Sequence, residues 1–478
     1  MRNNILRRSL IRAGIVFAAV FCCLAVYQTV YAQDGATAGA INSGDTAWLL
    51  ISTALVMLMT APGLALFYGG LVSQRNVLST LMHSFFLLCL ISVVWVIYGY
   101  SLSFGTDHGG FIGGFHYVLF KNVGMEAGGG AAAPHLAFAM YQGMFAVITV
   151  ALITGAIAER IRFTAFVLFS LLWSTFVYAP LAHWVWGGGW LMKLGALDFA
   201  GGTVVHISSG VSALIAAIMI GKRIGHPKHV SPPHNLILTV IGGGLLWFGW
   251  FGFNAGSALS ANGLSAMAFA VTNTAAATAG LTWGFIEWWK HGKATILGVV
   301  TGAVAGLVAI TPAAGFVTIG SSLVIGAGVS IVCYLGVNKL KPKFGYDDAL
   351  DVFGVHGIGG MWGALATGLF ASKAVNPAGA DGLFYGNPHQ LLNQIIGIGA
   401  SVVLAATGTF VILKVVSLIT PLRVSEEDEH TGLDLALHGE VAYNFFGPSM
   451  SSTSSASAHA AAAENDYMAF AKESSQTP

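Results

Sequence analysis

Two histidines stand where ionisable side chains are rare. His206, in Val205-His206-Ile-Ser-Ser-Gly210, and His356, in Val355-His356-Gly-Ile-Gly-Gly360, each lie in a long apolar run and share the pattern V-H-x-x-x-G. An ionisable residue inside a membrane-spanning helix is costly and marks a functional site by default. Neutral imidazole carries one donor and one acceptor, so a facing pair could pass a small polar molecule along apolar walls without adding charge. Two other readings stand beside this one. Each histidine could be hydrogen-bonded to a neighbouring helix as ordinary packing, or the pair could ligate a b-type haem, although one pair without a second redox group makes a poor electron path.

A second constellation is aromatic. Tyr141 and Phe145 open one apolar run, Trp186-Gly-Gly-Gly189 closes the next, and Phe248 to Phe253 lead into Asn254-Ala-Gly-Ser257. Rings at this depth form the interfacial belt of many membrane proteins. The functional alternative is a cation vestibule, in which π faces attract a small cation and the Ser257 hydroxyl accepts its N–H hydrogen bond. Asp198, just before the run that holds His206, reads as a helix N-cap or buried acceptor in preference to a direct ligand.

The elements that must position these groups follow from composition. Of 478 residues only 9% are charged, 55% are hydrophobic and 62 are glycine, and the formal net charge is +1. Soluble domains carry roughly 25% charged residues, so the solvent is a bilayer. No basic face for nucleic acid is present. Cys22, Cys23, Cys89 and Cys333 lack metal-ligand or disulfide spacing, and no cofactor or metal is expected.

A bilayer core about 30 Å thick requires about 20 apolar residues per helix. Eleven such runs follow residue 44, at 45–73, 77–103, 136–158, 164–187, 200–221, 235–256, 263–289, 294–311, 315–338, 351–372 and 389–419. The expected fold is therefore an all-α polytopic membrane protein of eleven helices. Residues 1–32, with Arg2, Arg7, Arg8 and Arg12 before an apolar stretch and Val30-Tyr31-Ala32 at its exit, read as a signal peptide whose cleavage leaves 33–44 outside. Eleven crossings from there place the C-terminus inside. The connections agree, with eleven Lys or Arg on the expected inner side and only Lys121, Lys193 and Lys373 on the outer side. The transmembrane domain then spans 45–421, a cytoplasmic regulatory region 422–446, and a Ser/Ala-rich disordered tail 447–478.

The two V-H-x-x-x-G copies fall five helices apart, so they run in opposite directions. That is the pattern of an inverted 5+5 repeat followed by an eleventh helix. Glycines such as Gly242, Gly302, Gly306, Gly326 and Gly328 are read as close-packing positions between helices.

The chain resembles the ammonium transporter family, which includes methylammonium permeases and, more distantly, the Rhesus glycoproteins. The likeness spans about residues 44–446. It rests on Pro62-Gly63-Leu-Ala-Leu-Phe67-Tyr68-Gly69-Gly70, Ala158-Glu159-Arg160, Asp198-Phe-Ala-Gly-Gly-Thr-Val-Val-His206, Trp250-Phe-Gly-Phe-Asn-Ala-Gly-Ser257 and Asp351-Val-Phe-Gly-Val-His356-Gly. The resemblance implies a homotrimer in the bacterial inner membrane with one pore per subunit. It implies an outer ammonium site at Trp186, Ser257 and Phe145, with Tyr141 where bacterial relatives often carry Phe. It implies a gate of Phe145 over Phe253, twin pore histidines His206 and His356, and Asp198 as a structural or deprotonation residue. A PII-type signal protein at the inner mouth is an implied partner, and the function implied is transport, not enzymatic catalysis. Two alternatives remain in view, a Rhesus-like channel for ammonia or carbon dioxide and an ammonium sensor. Trp186 favours the ammonium-capturing branch, and the lack of a fused signalling domain disfavours the sensor.

Overall fold

The computed structural model describes residues 40–228 and 231–443; the expected signal peptide and the expected disordered tail lie outside the described residues. Among these residues nine helices are long and apolar enough to cross a membrane. They are α1 (Ser43–Leu71), α2 (Gln74–Phe104), α3 (His135–Ile157), α4 (Phe163–Leu194), α5 (Gly202–Ile220), α6 (Leu236–Ala258), α7 (Gly263–His291), α9 (Ile319–Phe344) and α11 (Pro388–Ile419). Two shorter helices, α8 (Ile296–Ile310) and α10 (353–370), occupy the remaining two expected spans. Several helix starts carry side-chain caps from Asn or Thr. Asn262 accepts from the Leu264 and Ser265 amides in a reciprocal box with Ser265, and Thr295 and Thr318 cap α8 and α9.

Between α2 and α3 two short hairpins form, β1 (Asp107–His108) with β2 (Ile112–Gly113) and β3 (Ala127–Gly128) with β4 (Ala131–Pro134). They mark one end of the bundle, the hairpin end. The opposite end is ionic. Arg160 is fully buried there and donates to the carbonyls of Ala158, Gly221 and Asp347. Arg223 bridges Glu159 at 2.7 Å and Asp347 at 2.8 Å. After α11 the chain returns across this ionic end through α12 (Glu426–Thr431), and Asp434 accepts from the amides of Leu78 and Ser79 in α2.

Small residues let the helices touch backbone to backbone. A Cβ added at Gly306 would sit 2.6 Å from the Ala275 carbonyl oxygen, and one added at Gly326 would sit 2.4 Å from the same atom. Helix α7 is thereby gripped from two sides by α8 and α9, the close approach that replaces hydrophobic drive in lipid. α3 lies deepest, with nearly every residue from Gly143 to Ile157 buried, so its side chains face other helices all round.

Candidate functional site

His206 and His356 come together at the centre of the bundle. Each sits on a wider-than-α turn that opens its helix, His206 in Gly202–Ile207 and His356 in Phe353–Gly357. Such widened turns are frequent at functional sites. The glycine four residues on from each histidine lies on the same helix face, and it meets the other histidine's turn. A Cβ at Gly210 would lie 2.1 Å from the Gly357 nitrogen, and one at Gly360 would lie 3.1 Å from both the Gly202 oxygen and His206 Cβ. The V-H-x-x-x-G pattern thus allows α5 and α10 to approach closely enough for the rings to meet. Their Nδ1 atoms are 3.2 Å apart and the ring planes are 26° from parallel. Trp250 also stacks on His206 at 5.4 Å, its own N–H held by Thr311 at 2.9 Å.

The two histidines line a narrow void with Met59, Leu64, Ile148, Leu152, Leu246 and Phe253 among its apolar walls. Its volume is about 10 Å³, roughly the room one water-sized molecule needs. A wider cavity of about 190 Å³ begins at His356 and runs past Tyr68, Thr301 and Asp351 to Arg223 at the ionic end. The sequence reading missed most of this wall. Trp250 lay inside a recognised motif, but nothing in its spacing showed that it backs a histidine.

Phe253, which lines the void, stacks on Phe145 at 4.2 Å with planes 21° apart. Trp186 meets Phe145 edge to face at 6.0 Å. It lies where α4 is interrupted by Gly187-Gly188-Gly189, and its indole N–H donates to the Asp198 carbonyl at 2.9 Å. Ser257 lies in the closing turn of α6, half-buried, and donates to the Phe253 carbonyl at 2.9 Å. Tyr141 is wholly buried behind it, with its hydroxyl 2.9 Å from the carbonyls of Gly252 and Phe253 and 3.2 Å from Ser257 Oγ. These carbonyls lie in the last two turns of α6, whose dipole is negative at this end and favours a cation. The structure therefore brings Tyr141, Phe145, Trp186, Phe253 and Ser257 into one cluster.

The Asp198 side chain turns to the chain that follows it. Its Oδ1 accepts from the amides of Gly201 and Gly202, and its Oδ2 from those of Thr203 and Val204, at 2.6 to 3.1 Å. Four donors from the opening turn of α5 occupy the carboxylate, which fixes the turn that carries His206. Burial pushes its pKa up, and the N–H donors pull against that rise.

Among the described residues no group of three or more His, Cys, Asp or Glu could hold a metal ion. The model of the Ammonium Transporter Family matches residues 47–443. An ammonium transporter of Bacillus subtilis is 57% identical over 404 residues, covering 84% of this chain and 99% of that protein. Ammonium transporter Amt1 of Archaeoglobus fulgidus is 51% identical over 404 residues, covering 84% and 100%. The crystal structure of Candida albicans Mep2 superposes with a TM-score of 0.76 at 36% identity, covering 81% of this chain and 88% of that one. With its family model matched over most of its length, this polytopic helical membrane protein belongs to the Ammonium Transporter Family.

Proposed function

We propose that the chain captures ammonium at the hairpin end, deprotonates it at the phenyl gate, and conducts ammonia past His206 and His356 to the ionic end. The observation that carries this reading is the order of the parts: a half-buried Trp186 and Ser257, then the Phe145–Phe253 stack, then a void of about 10 Å³ lined by the paired histidines. Moving a bare cation into an apolar medium costs tens of kcal/mol by Born estimates, whereas a desolvated cation–π contact returns about 2 kcal/mol. The rings can recruit the ion but cannot carry it across. Ammonium therefore gives up a proton, which follows a separate or coupled route, and potassium is rejected because it has none to lose.

In a neutral pair, the Nδ1 contact lets only one ring donate, so the other ring's proton lies on Nε2. One Nε2 then accepts and the other donates, which matches a molecule that does both. His206 Nε2 has no hydrogen-bond partner among the described residues. The same reading takes the hairpin end as the outside of a bacterial plasma membrane, with eleven crossings and the C-terminus inside. The family resemblance supports a homotrimer and a PII-type partner at the ionic end. The test is uptake of labelled methylammonium by reconstituted protein, with membrane current recorded in parallel. Saturable uptake that ammonium competes away is expected; vesicles no more permeable than protein-free ones would overturn the reading.

A further inference from the structure

Resting on that capture reading, we propose that Asp107, His183 and Lys193 form a clamp that positions Trp186 for cation capture. None of the three touches the lumen, and together they fasten the first hairpin to the interrupted end of α4. His183 is fully buried in the last turn before Trp186, its Nδ1 3.0 Å from the Ser103 carbonyl oxygen and its Nε2 3.0 Å from Asp107 Oδ1. Lys193, beyond the glycine run, reaches Asp107 Oδ2 at 2.5 Å. One carboxylate thus grips α4 on both sides of the Trp186 loop.

The loop between those two grips has no slack. The His183 carbonyl accepts from the amides of both Gly187 and Gly189. A Cβ at Gly187 would lie 2.0 Å from the Ser103 oxygen and 2.7 Å from His183 Nδ1. The hairpin adds two further ties, Trp184 Nε1 to the Phe111 carbonyl at 2.8 Å and the Trp190 amide to the Gly110 carbonyl at 3.0 Å. Gly110 in turn donates to Asp107 at 2.7 Å. The Trp186 indole N–H is held by the Asp198 carbonyl, so releasing the clamp frees its backbone while the ring edge stays held. His183 and Lys193 hold the Asp107 carboxyl well below the usual carboxylate range, so it is ionised at neutral pH.

The clamp and a simple electrostatic lure predict opposite signs for one substitution. Lys193→Met removes a positive charge near the capture site. If Asp107 and Lys193 act only through their field, this change improves cation capture and lowers the half-saturating concentration. If they act as a clamp, it raises that concentration by about twofold, as expected for loss of an exposed ion pair. Asp107→Ala should raise it by about fivefold, the net worth of about one intramolecular hydrogen bond, with the maximal rate unchanged.

The decisive experiment measures methylammonium uptake by the reconstituted full chain for Lys193→Met, Asp107→Ala, Trp186→Leu and the two double variants. The clamp predicts that both substitutions raise half-saturation in the natural background and have no further effect beside Trp186→Leu, because the coupled residues act as one unit. A fall in half-saturation for Lys193→Met, an unchanged value for Asp107→Ala, or effects that persist beside Trp186→Leu would overturn it. Should Asp107→Ala fail to fold, Lys193→Met and its double variant carry the cycle, since the lysine side chain is 61% exposed. A Trp186→Leu protein with unaltered half-saturation, or with no uptake, would overturn the capture reading and the clamp together; additivity beside an impaired Trp186→Leu overturns the clamp alone.

Discussion

His206 and His356 lie 150 residues apart in the chain and face each other through Nδ1 atoms 3.2 Å apart. That contact depends on Gly210 and Gly360, which leave room for the opposing turns. The histidines and the glycines are therefore one device. It is the most direct structural counterpart of the repeated pattern in the sequence.

Trp186→Leu should weaken capture at low ammonium by about tenfold while leaving the maximal rate nearly intact. It removes a π face worth about 1–2 kcal/mol toward a partly desolvated cation and leaves the void beyond the phenyl gate unaltered. Initial uptake rates over a range of methylammonium concentrations check this, and an unchanged concentration dependence would count against the vestibule.

Much of this arrangement is legible in the sequence because membrane helices are constrained by cost. A histidine in an apolar run announces itself, and a glycine at i+4 shares its face. Apolar run lengths place most of the long helices within a few residues, but α9 spans Ile319–Phe344 against the expected 315–338, and α4 extends to Leu194 beyond the expected 187. There the chain resumes a short helix after the glycine run, which hydropathy alone does not show. What stays hidden is pairing across distance. Trp250 behind His206, Tyr141 behind Ser257, and Asp107 holding both His183 and Lys193 depend on contacts that no periodicity encodes.

Arg223→Ala should be strongly destabilising. The change leaves Glu159 and Asp347 without the guanidinium that holds them, and Asp347 is fully enclosed. Breaking a buried pair by removing one partner costs about 3–5 kcal/mol. Thermal unfolding of the solubilised protein should show a large drop in midpoint, and a shift of only a degree or two would contradict this account of the ionic end.

Asp348→Asn should flatten the pH dependence of stability in acid. Burial pushes the Asp348 carboxyl up to about 6, with Lys341 pulling against it, while the unfolded chain keeps a value near 3.9. Between those values the folded state binds more protons than the unfolded one, so this group's contribution falls as pH rises from about 4 to about 6. The loss is about 3 kcal/mol over the window. Melting of the natural protein and of Asp348→Asn from pH 4 to 7 should diverge most at the upper end, with the variant the more stable, and parallel curves would contradict the assignment.

Removing residues 448–478 should leave transport nearly unchanged, whereas deleting 424–446 should impair it. The second segment is docked through Asp434 on the opening turn of α2, through the Leu433 amide on Asn76, and through Glu429 on Arg423. Uptake by the two truncated proteins, normalised to the amount inserted, checks this; equal effects would place the functional boundary of the tail elsewhere.

The central claim is that the histidine pair keeps charge out of the pore while passing ammonia. The most direct measurement is ammonium-driven flux and current in vesicles containing the natural protein, His206→Ala or His356→Ala, with potassium as the competing cation. The natural protein should move ammonium and exclude potassium, and each variant should insert normally yet either admit potassium or protons alongside the substrate or lose flux altogether. Variants that transport at an unchanged rate with unchanged discrimination against potassium would contradict the account.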